Sequence, residues 1–280
     1  MLLTKQQIED FIKKLGQPKA SVLLNNFFNS YRSHLNSNDV KHLYDPTYLT
    51  RLDSHPAIIM VADKYKINTH NRHSYDYILP RISKSTRILD IGCGKGDFAM
   101  ALSTHNVDAV MGIDFSEESV YAANQKLKDS GLPCQFLHCD ASDFSHEFQF
   151  DFITMNDVFE HLSDEELSVL FNNLKNLLRK HGEIVIHTPN GLALCNDTDR
   201  TLFYTLYKSY YRIFKNWKGQ ERTAEQIYYD QVHINIKSYS QIKQFLKNLG
   251  FSSEVQYDNS NKWFFLNQFS THMLTTAKLS

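Results

Sequence analysis

No stretch of these 280 residues holds the unbroken apolar run that a bilayer-spanning helix needs, so a transmembrane protein is not expected. The first sixteen residues, MLLTKQQIEDFIKKLG, alternate polar and apolar types at helical spacing and lack the apolar stretch of a secretion signal. Cysteine is scarce: four, at 93, 134, 139 and 195, with no C-x-x-C pair. A zinc knuckle or dithiol redox motif is thereby disfavoured, and a reduced, cytoplasmic setting is the expectation. An excess of charge of either sign is missing too. Lys and Arg number 30 against 31 Asp and Glu, a formal −1, so a broad basic face for nucleic acid is not indicated. Internal repeats and low-complexity tracts are absent. Aromatics are plentiful: 19 Phe and 15 Tyr supply a core, with some left for a pocket or a surface. A chain of this length fits one large α/β domain with additions.

The stretch with the most specific content is RILDIGCGKGDFAMAL, residues 87–102. Ile88, Leu89 and Ile91 form a short apolar run, Gly92, Gly94 and Gly96 follow at every second position, and an apolar, helix-compatible segment comes next. Strand, glycine turn and helix together let backbone N–H groups and a helix N-terminus approach a ligand. A dinucleotide G-x-G-x-x-G fingerprint needs glycine at 97, where this chain has Asp97. What stands here is an acid followed by alternating glycines, Asp90-x-Gly92-x-Gly94-x-Gly96.

Around that turn the chain divides in two. Residues 1–80 read as a helical lead-in: Ile8, Phe11, Ile12 and Leu15 share a helix face, Gly16-Gln17-Pro18 stops it, and apolar clusters recur at 22–28 and 57–67. Plain structural helices and a lid over a ligand site are both open readings of that segment. From 81 to 280 strands alternate with helices. Strands are expected at 87–91, 107–114, 134–140, 150–157 and 183–190, with helices running to Thr104, over 116–131 and over 163–182. Ser116 is a candidate N-cap, and Ser163 with Glu166 forms a capping box. That alternation implies a parallel sheet with helices on both faces and a ligand crevice at the C-terminal strand ends. Residues 191–230 break the rhythm with an aromatic, then basic, helical insertion. It reads as a helix packed on the sheet, a specificity cap or a peripheral membrane contact. A helix ending at Gly250 and two strands, near 252–257 and 262–269, close the chain.

Asp114 ends the second strand, 20 residues beyond Gly94, where a carboxylate can accept hydrogen bonds from both ribose hydroxyls of a nucleoside cofactor. Glycine turn and acid alone fit either a nicotinamide or an S-adenosylmethionine cofactor, and in isolation Asp114 and Asp140 read equally as strand-end caps. With HCDASDF after the third strand, NDVFEHL at 156–162, VIHTPNG at 185–191 and VHINIKSYSQIKQFLKNLGF near the end, the order of motifs resembles the class I S-adenosylmethionine-dependent methyltransferases over roughly 81–270. The resemblance implies a Rossmann-like α/β fold, with a seven-stranded, mostly parallel sheet whose last strand is antiparallel. It also implies a methyl transfer, with a small-molecule hydroxyl on a sugar, quinone precursor or other metabolite as the expected acceptor. An RNA 2′-hydroxyl, or a catalytically silent scaffold, is the alternative. By resemblance, Gly92, Gly94 and Gly96 approach the cofactor's methionine part, and Asp90 supports that turn or meets the ammonium. Asp114 takes the ribose, Phe115 lies against the adenine, Asp140 and Ala141 bind its edge, and Asn156 lines the methionine end.

Candidate catalytic groups are Glu160, His161 and His233, with His187 open as a base or a structural residue. Asp157-Val-Phe-Glu160-His161 with the distant His233 resembles the E-x-x-E-H plus later His set of metal-using O-methyltransferases, among them the ubiquinone-biosynthesis and small-RNA 3′-end enzymes. That implies a divalent metal held by Asp157, Glu160, His161 and His233. Asp157 departs from the pattern by replacing its first Glu, and relatives without metal also carry D-V-x-E-H, where Glu and His cap a helix or pack under the pocket. Cys93, with no partnered base in sight, reads as a small buried filler.

Overall fold

The computed structural model describes residues 2–43, 58–61, 65–128, 130–191, 223–257 and 272–280. The expected strands at the centre of the chain form. β3 (Arg87–Ile91), β4 (Ala109–Asp114), β5 (Cys134–His138), β6 (Phe150–Asn156) and β7 (Leu178–Pro189) are parallel neighbours in the order β5-β4-β3-β6-β7. β9 (His272–Leu279) pairs antiparallel with both β7 and β8 (Phe251–Tyr257), completing seven strands in the order β5-β4-β3-β6-β7-β9-β8. The order reverses at β3, so β4 and β6 flank it and their C-terminal ends diverge around its glycine turn. That switch point is where an open parallel sheet leaves a crevice.

Alternation along each strand sends neighbours to opposite faces. Leu89 and Ile91 join Met111, Ile153, Ile184 and Ile186 beneath α7 (Asp164–Leu177) and α9 (Tyr239–Asn248). Ile88, Val110, Phe152 and Val185 pack on the other face, beneath α4 (Thr69–Ile78), α5 (Asp97–Ser103) and α6 (Glu117–Leu127). Tyr75 and Ile78 of α4 are buried in this second layer, so the packing unit of the sheet begins ahead of residue 81.

Four expectations need correction. The helix expected to run to Gly182 ends at Leu177, because Leu178 is extended and buried opposite Phe150, starting β7 five residues early. Gly182 serves the strand instead of a helix end: a Cβ there would lie 2.9 Å from the Phe150 carbonyl oxygen. In the lead-in, part of the apolar cluster at 57–67 forms an antiparallel hairpin, β1 (Ile58–Val61) with β2 (Tyr65–Asn68), and is not helical. β-Branched Ile58, Ile59 and Val61 favour that state. The last strand lies at 272–279, since a run of Thr and small apolar residues pairs with β7, and the aromatic stretch expected at 262–269 lies outside the described residues. Most of the insertion, 192–222, including its aromatic, basic helix, also lies outside them.

The N-terminal helices do form. Thr4 caps α1 (Lys5–Leu15) through a capping box with Gln7, and Gly16 separates it from α2 (Gln17–Tyr31). These helices pack away from the sheet, with Ile8, Leu24 and Phe28 buried against Ile227 of α8 (Ala224–Tyr229). After α2, α3 (Ser37–Val40) places Val40, with the following Leu43, against Val232 and Ile234. Among the described residues, no helix is long and apolar enough to cross a membrane.

Candidate active site

An open cavity of about 490 Å³ lies at the C-terminal ends of β3, β4 and β6. Gly92 and Gly94 line it with Asp114, Phe115, Asp140, Ala141 and Asn156, so seven of the nine expected cofactor residues face one space. The carboxylate of Asp114 organises that wall. Its Oδ2 accepts the Gly94 N–H at 2.8 Å and its Oδ1 the Ser116 N–H at 2.8 Å, tying the glycine turn to the start of α6. Burial pushes the Asp114 pKa up, against the pull of those two N–H donors. Asp140 is exposed and holds its own loop, accepting the Ser142 N–H at 2.9 Å. The Asn156 side-chain oxygen accepts a hydrogen bond from the Ser74 hydroxyl of α4.

Asp90 and Gly96 do not line the cavity. Asp90 is buried beneath the turn, with the Thr154 hydroxyl donating to it at 2.7 Å, and burial pushes its pKa up to about 7. Of its two expected roles, support from below fits this position and contact with a cofactor ammonium does not. Gly96 is required by packing, because a Cβ there would meet the buried Phe136 ring at 2.4 Å on a backbone with φ +79°. Gly94 has φ +50° but open space where its Cβ would be. Gly96→Ala is therefore expected to destabilise the fold by about 2–4 kcal/mol through left-handed strain plus overpacking, whereas Gly94→Ala costs only the strain of about 1–2 kcal/mol. Urea titration of the two variants measures the difference, and equal midpoints would refute it.

The catalytic candidates come together at the far side of the same cavity. Ligand-capable atoms of Glu160, His161 and His233 all lie within 4.8 Å of one another, and the two imidazole centroids are 5.0 Å apart. β6 delivers the first two through the tight turn after Asn156, and the short 3-10 turn Asp230–Val232 that follows α8 delivers the third. The Val232 carbonyl lies 3.0 Å from His161 Nδ1, so Nδ1 carries the proton and Nε2 is the basic nitrogen. Burial lowers the His161 pKa, keeping the imidazole neutral. Glu160 is fully buried: the Thr188 hydroxyl donates to Oε2 at 2.9 Å, while Oε1 has no hydrogen-bond partner among the described residues. Burial, reinforced by the charge of Asp157, pushes its pKa up to about 8.

Asp157 lines the same cavity but is not among the residues whose ligand atoms lie within 4.8 Å of one another. Its backbone has φ +53°, the sole non-glycine positive φ among the described residues, and its N–H donates to the His187 carbonyl at 2.9 Å. Its Oδ1 lies 2.9 Å from His187 Nδ1. His187, open as a base in the sequence, is fully buried and stacks near-parallel to His272 at 5.4 Å. Its place is behind the cavity wall, holding Asp157. Cys93 is buried with its pKa raised by that burial, the state of an inert filler.

Lys41, Ser37, Tyr229, Asp230 and His272 also line the cavity and carried no recognisable motif. For His272 the sequence offers one signal, a histidine at the start of a strand.

The central part of the chain, residues 88–182, matches the family described as a methyltransferase domain. The chain carries a class I methyltransferase fold. An S-adenosylmethionine-dependent methyltransferase from Clostridium acetobutylicum superposes with TM-score 0.54 at 16% identity, over 87% of this chain and 98% of that one. Magnesium protoporphyrin IX methyltransferase from Synechocystis, solved with bound cofactor, gives 0.54 at 17% over 87% and 97%. In sequence, the chain resembles the ubiquinone biosynthesis O-methyltransferase of Aromatoleum aromaticum, 32% identical over 37% of this chain and 44% of that protein. It also resembles the demethylmenaquinone methyltransferase of Staphylococcus saprophyticus, 25% identical over 61% and 72%. The chain thus spans less than half of the first relative's length.

Proposed function

We propose that this protein transfers a methyl group from S-adenosylmethionine to a hydroxyl of a small molecule. The observation that carries the reading is a single cavity with the glycine turn, Asp114 and Asp140 at one side and Glu160, His161 and His233 at the other. Relatives named for quinone-type O-methylation support the acceptor class. A formal charge of −1 gives an RNA acceptor no support.

Methyl transfer to a hydroxyl is an in-line displacement: the C–S bond breaks as the C–O bond forms, and the sulfonium departs as a neutral thioether. The protein's task is alignment, plus a place for the hydroxyl proton. Asp114 accepts from the ribose hydroxyls, Gly92 and Gly94 let the backbone approach, and Asp140 with Ala141 reads the adenine edge beside Phe115. Asn156 lines the methionine end. His161, neutral and with Nε2 basic, is suited to take the proton. Two imidazoles and the Glu160 carboxylate, whose Oε1 has no hydrogen-bond partner among the described residues, also fit a divalent cation, held by Glu160, His161 and His233. Such an ion, when bound, orients and acidifies the hydroxyl.

Calorimetric titration with S-adenosylhomocysteine, with NADH as the control ligand, tests the reading. Binding of the former alone is expected. Binding of NADH instead, or of neither, would overturn it.

A further inference from the structure

The methyltransferase domain match begins at residue 88, yet two residues far upstream of it, Ser37 and Lys41, line the same cavity as Gly94, Asp114 and Asp140. Lys41 is the single Lys or Arg among the described lining residues, and the other side chains there that can carry charge at neutral pH are carboxylates and histidines. Its ammonium stands 5.5 Å from the centroid of the Phe115 ring, at the end of the cavity assigned above to the nucleoside. A cation over an aromatic face, with three donors, suits a stacked purine and its ribose oxygens.

The segment carrying Lys41 is fastened at two places. Ser37 donates its N–H to both oxygens of Glu166, at 3.2 and 3.1 Å, and its hydroxyl to Oε1 at 2.6 Å. The same carboxylate closes the capping box of α7, accepting the Ser163 N–H at 2.8 Å. Further along, Leu3 and Gln231 exchange two hydrogen bonds: the Leu3 N–H reaches Oε1 at 2.7 Å and Nε2 reaches the Leu3 carbonyl at 2.9 Å. Gln231 lies two residues before His233, which lines the cavity. The apolar support is slight compared with the sheet: Ile8, Ala20, Leu24, Phe28, Val40 and Leu43 are its buried apolar side chains among the described residues. Such a layer detaches more easily than the sheet unfolds.

We infer that the segment ending in Ser37–Leu43 is a wall of the cofactor site, with Lys41 contacting the nucleoside and the Ser37–Glu166 contact holding the wall shut. This rests on the cofactor reading proposed above. A ligand touching the closed wall favours the closed state, and a wall that no longer latches lowers the apparent affinity by the closed fraction.

Ser37→Pro is a clean way to release the latch. It removes both donors, while position 37 is the first residue of α3, where proline is accepted, and Asn36 before it is already extended. The Ser163–Glu166 box stays. Both Ser37→Pro and Lys41→Ala are expected to weaken S-adenosylhomocysteine about tenfold with little change in melting temperature, and Lys41→Ala to weaken adenosine equally. In the wild type, S-adenosylhomocysteine should slow tryptic cleavage within residues 2–43, and Ser37→Pro should abolish that protection. Wild-type binding with both variants unaltered would overturn the inference, and loss of the S-adenosylhomocysteine effect without the adenosine effect would overturn the place given to Lys41. A wild type that binds no S-adenosylhomocysteine defeats the cofactor reading itself, a different failure.

Discussion

Asp114→Ala is expected to weaken S-adenosylhomocysteine binding by two to four orders of magnitude while the sheet still folds. The carboxylate is 8% exposed, and each oxygen already accepts one backbone N–H, from Gly94 and from Ser116. Each oxygen keeps a second lone pair for a ribose hydroxyl. Hydrogen bonds to a charged acceptor contribute about 1.5–3 kcal/mol each, so losing a pair amounts to about 3–6 kcal/mol of binding. The substitution also frees the Gly94 N–H and loosens the turn that meets the cofactor, which adds to the loss. Asp114→Asn separates the two effects, because it keeps shape and one acceptor but turns a donor toward one of two N–H donors. Circular dichroism like that of the wild type, with calorimetric affinity reduced in both variants, is the expected pattern. Unchanged affinity in Asp114→Ala would remove the ribose assignment.

Asp114 was legible in the sequence because its position is fixed by a periodic signal: a buried parallel strand, a regular βα step and an acid at the strand end. The glycine turn and the placing of Glu160 and His161 just beyond a strand end follow from the same local regularity. What escaped is set by contacts between distant parts of the chain. The destination of the Asp157 carboxylate depends on β6 and β7 ending side by side, which brings His187 within 2.9 Å of it. The early start of β7 depends on Leu178 finding Phe150. Ser37 opens the one-turn helix α3 and Lys41 follows its end, in a sequence whose pattern is that of any solvated turn, and only the docking of this segment gives them a cavity to face.

Glu160→Gln is expected to make the metal-free protein more stable and the enzyme inactive. The carboxyl is fully buried, one oxygen has no hydrogen-bond partner among the described residues, and its pKa stands at about 8 against an ordinary 4.5. An acid whose folded pKa is raised adds stability that is fully present below about pH 4.5 and is lost as pH rises through about 8. Glutamine fills the same volume with no charge to desolvate, so its advantage is nil below about pH 4.5, grows as pH rises and levels off above about pH 8. There it is expected to reach the order of 2 kcal/mol, or about 4–8 °C in melting temperature. A divalent cation changes the balance, because it needs the ionised carboxylate. Zinc should raise the melting temperature of the wild type at pH 8 and leave Glu160→Gln unmoved, and thorough chelation should suppress wild-type turnover as fully as the substitution does. A buried, repelled carboxylate retained at a stability cost is what a functional site looks like when the sheet beneath it supplies the stability. If Glu160→Gln melts with the wild type at every pH and zinc shifts neither, Glu160 is a packing residue, and the hydroxyl proton is handled by His161 without a metal.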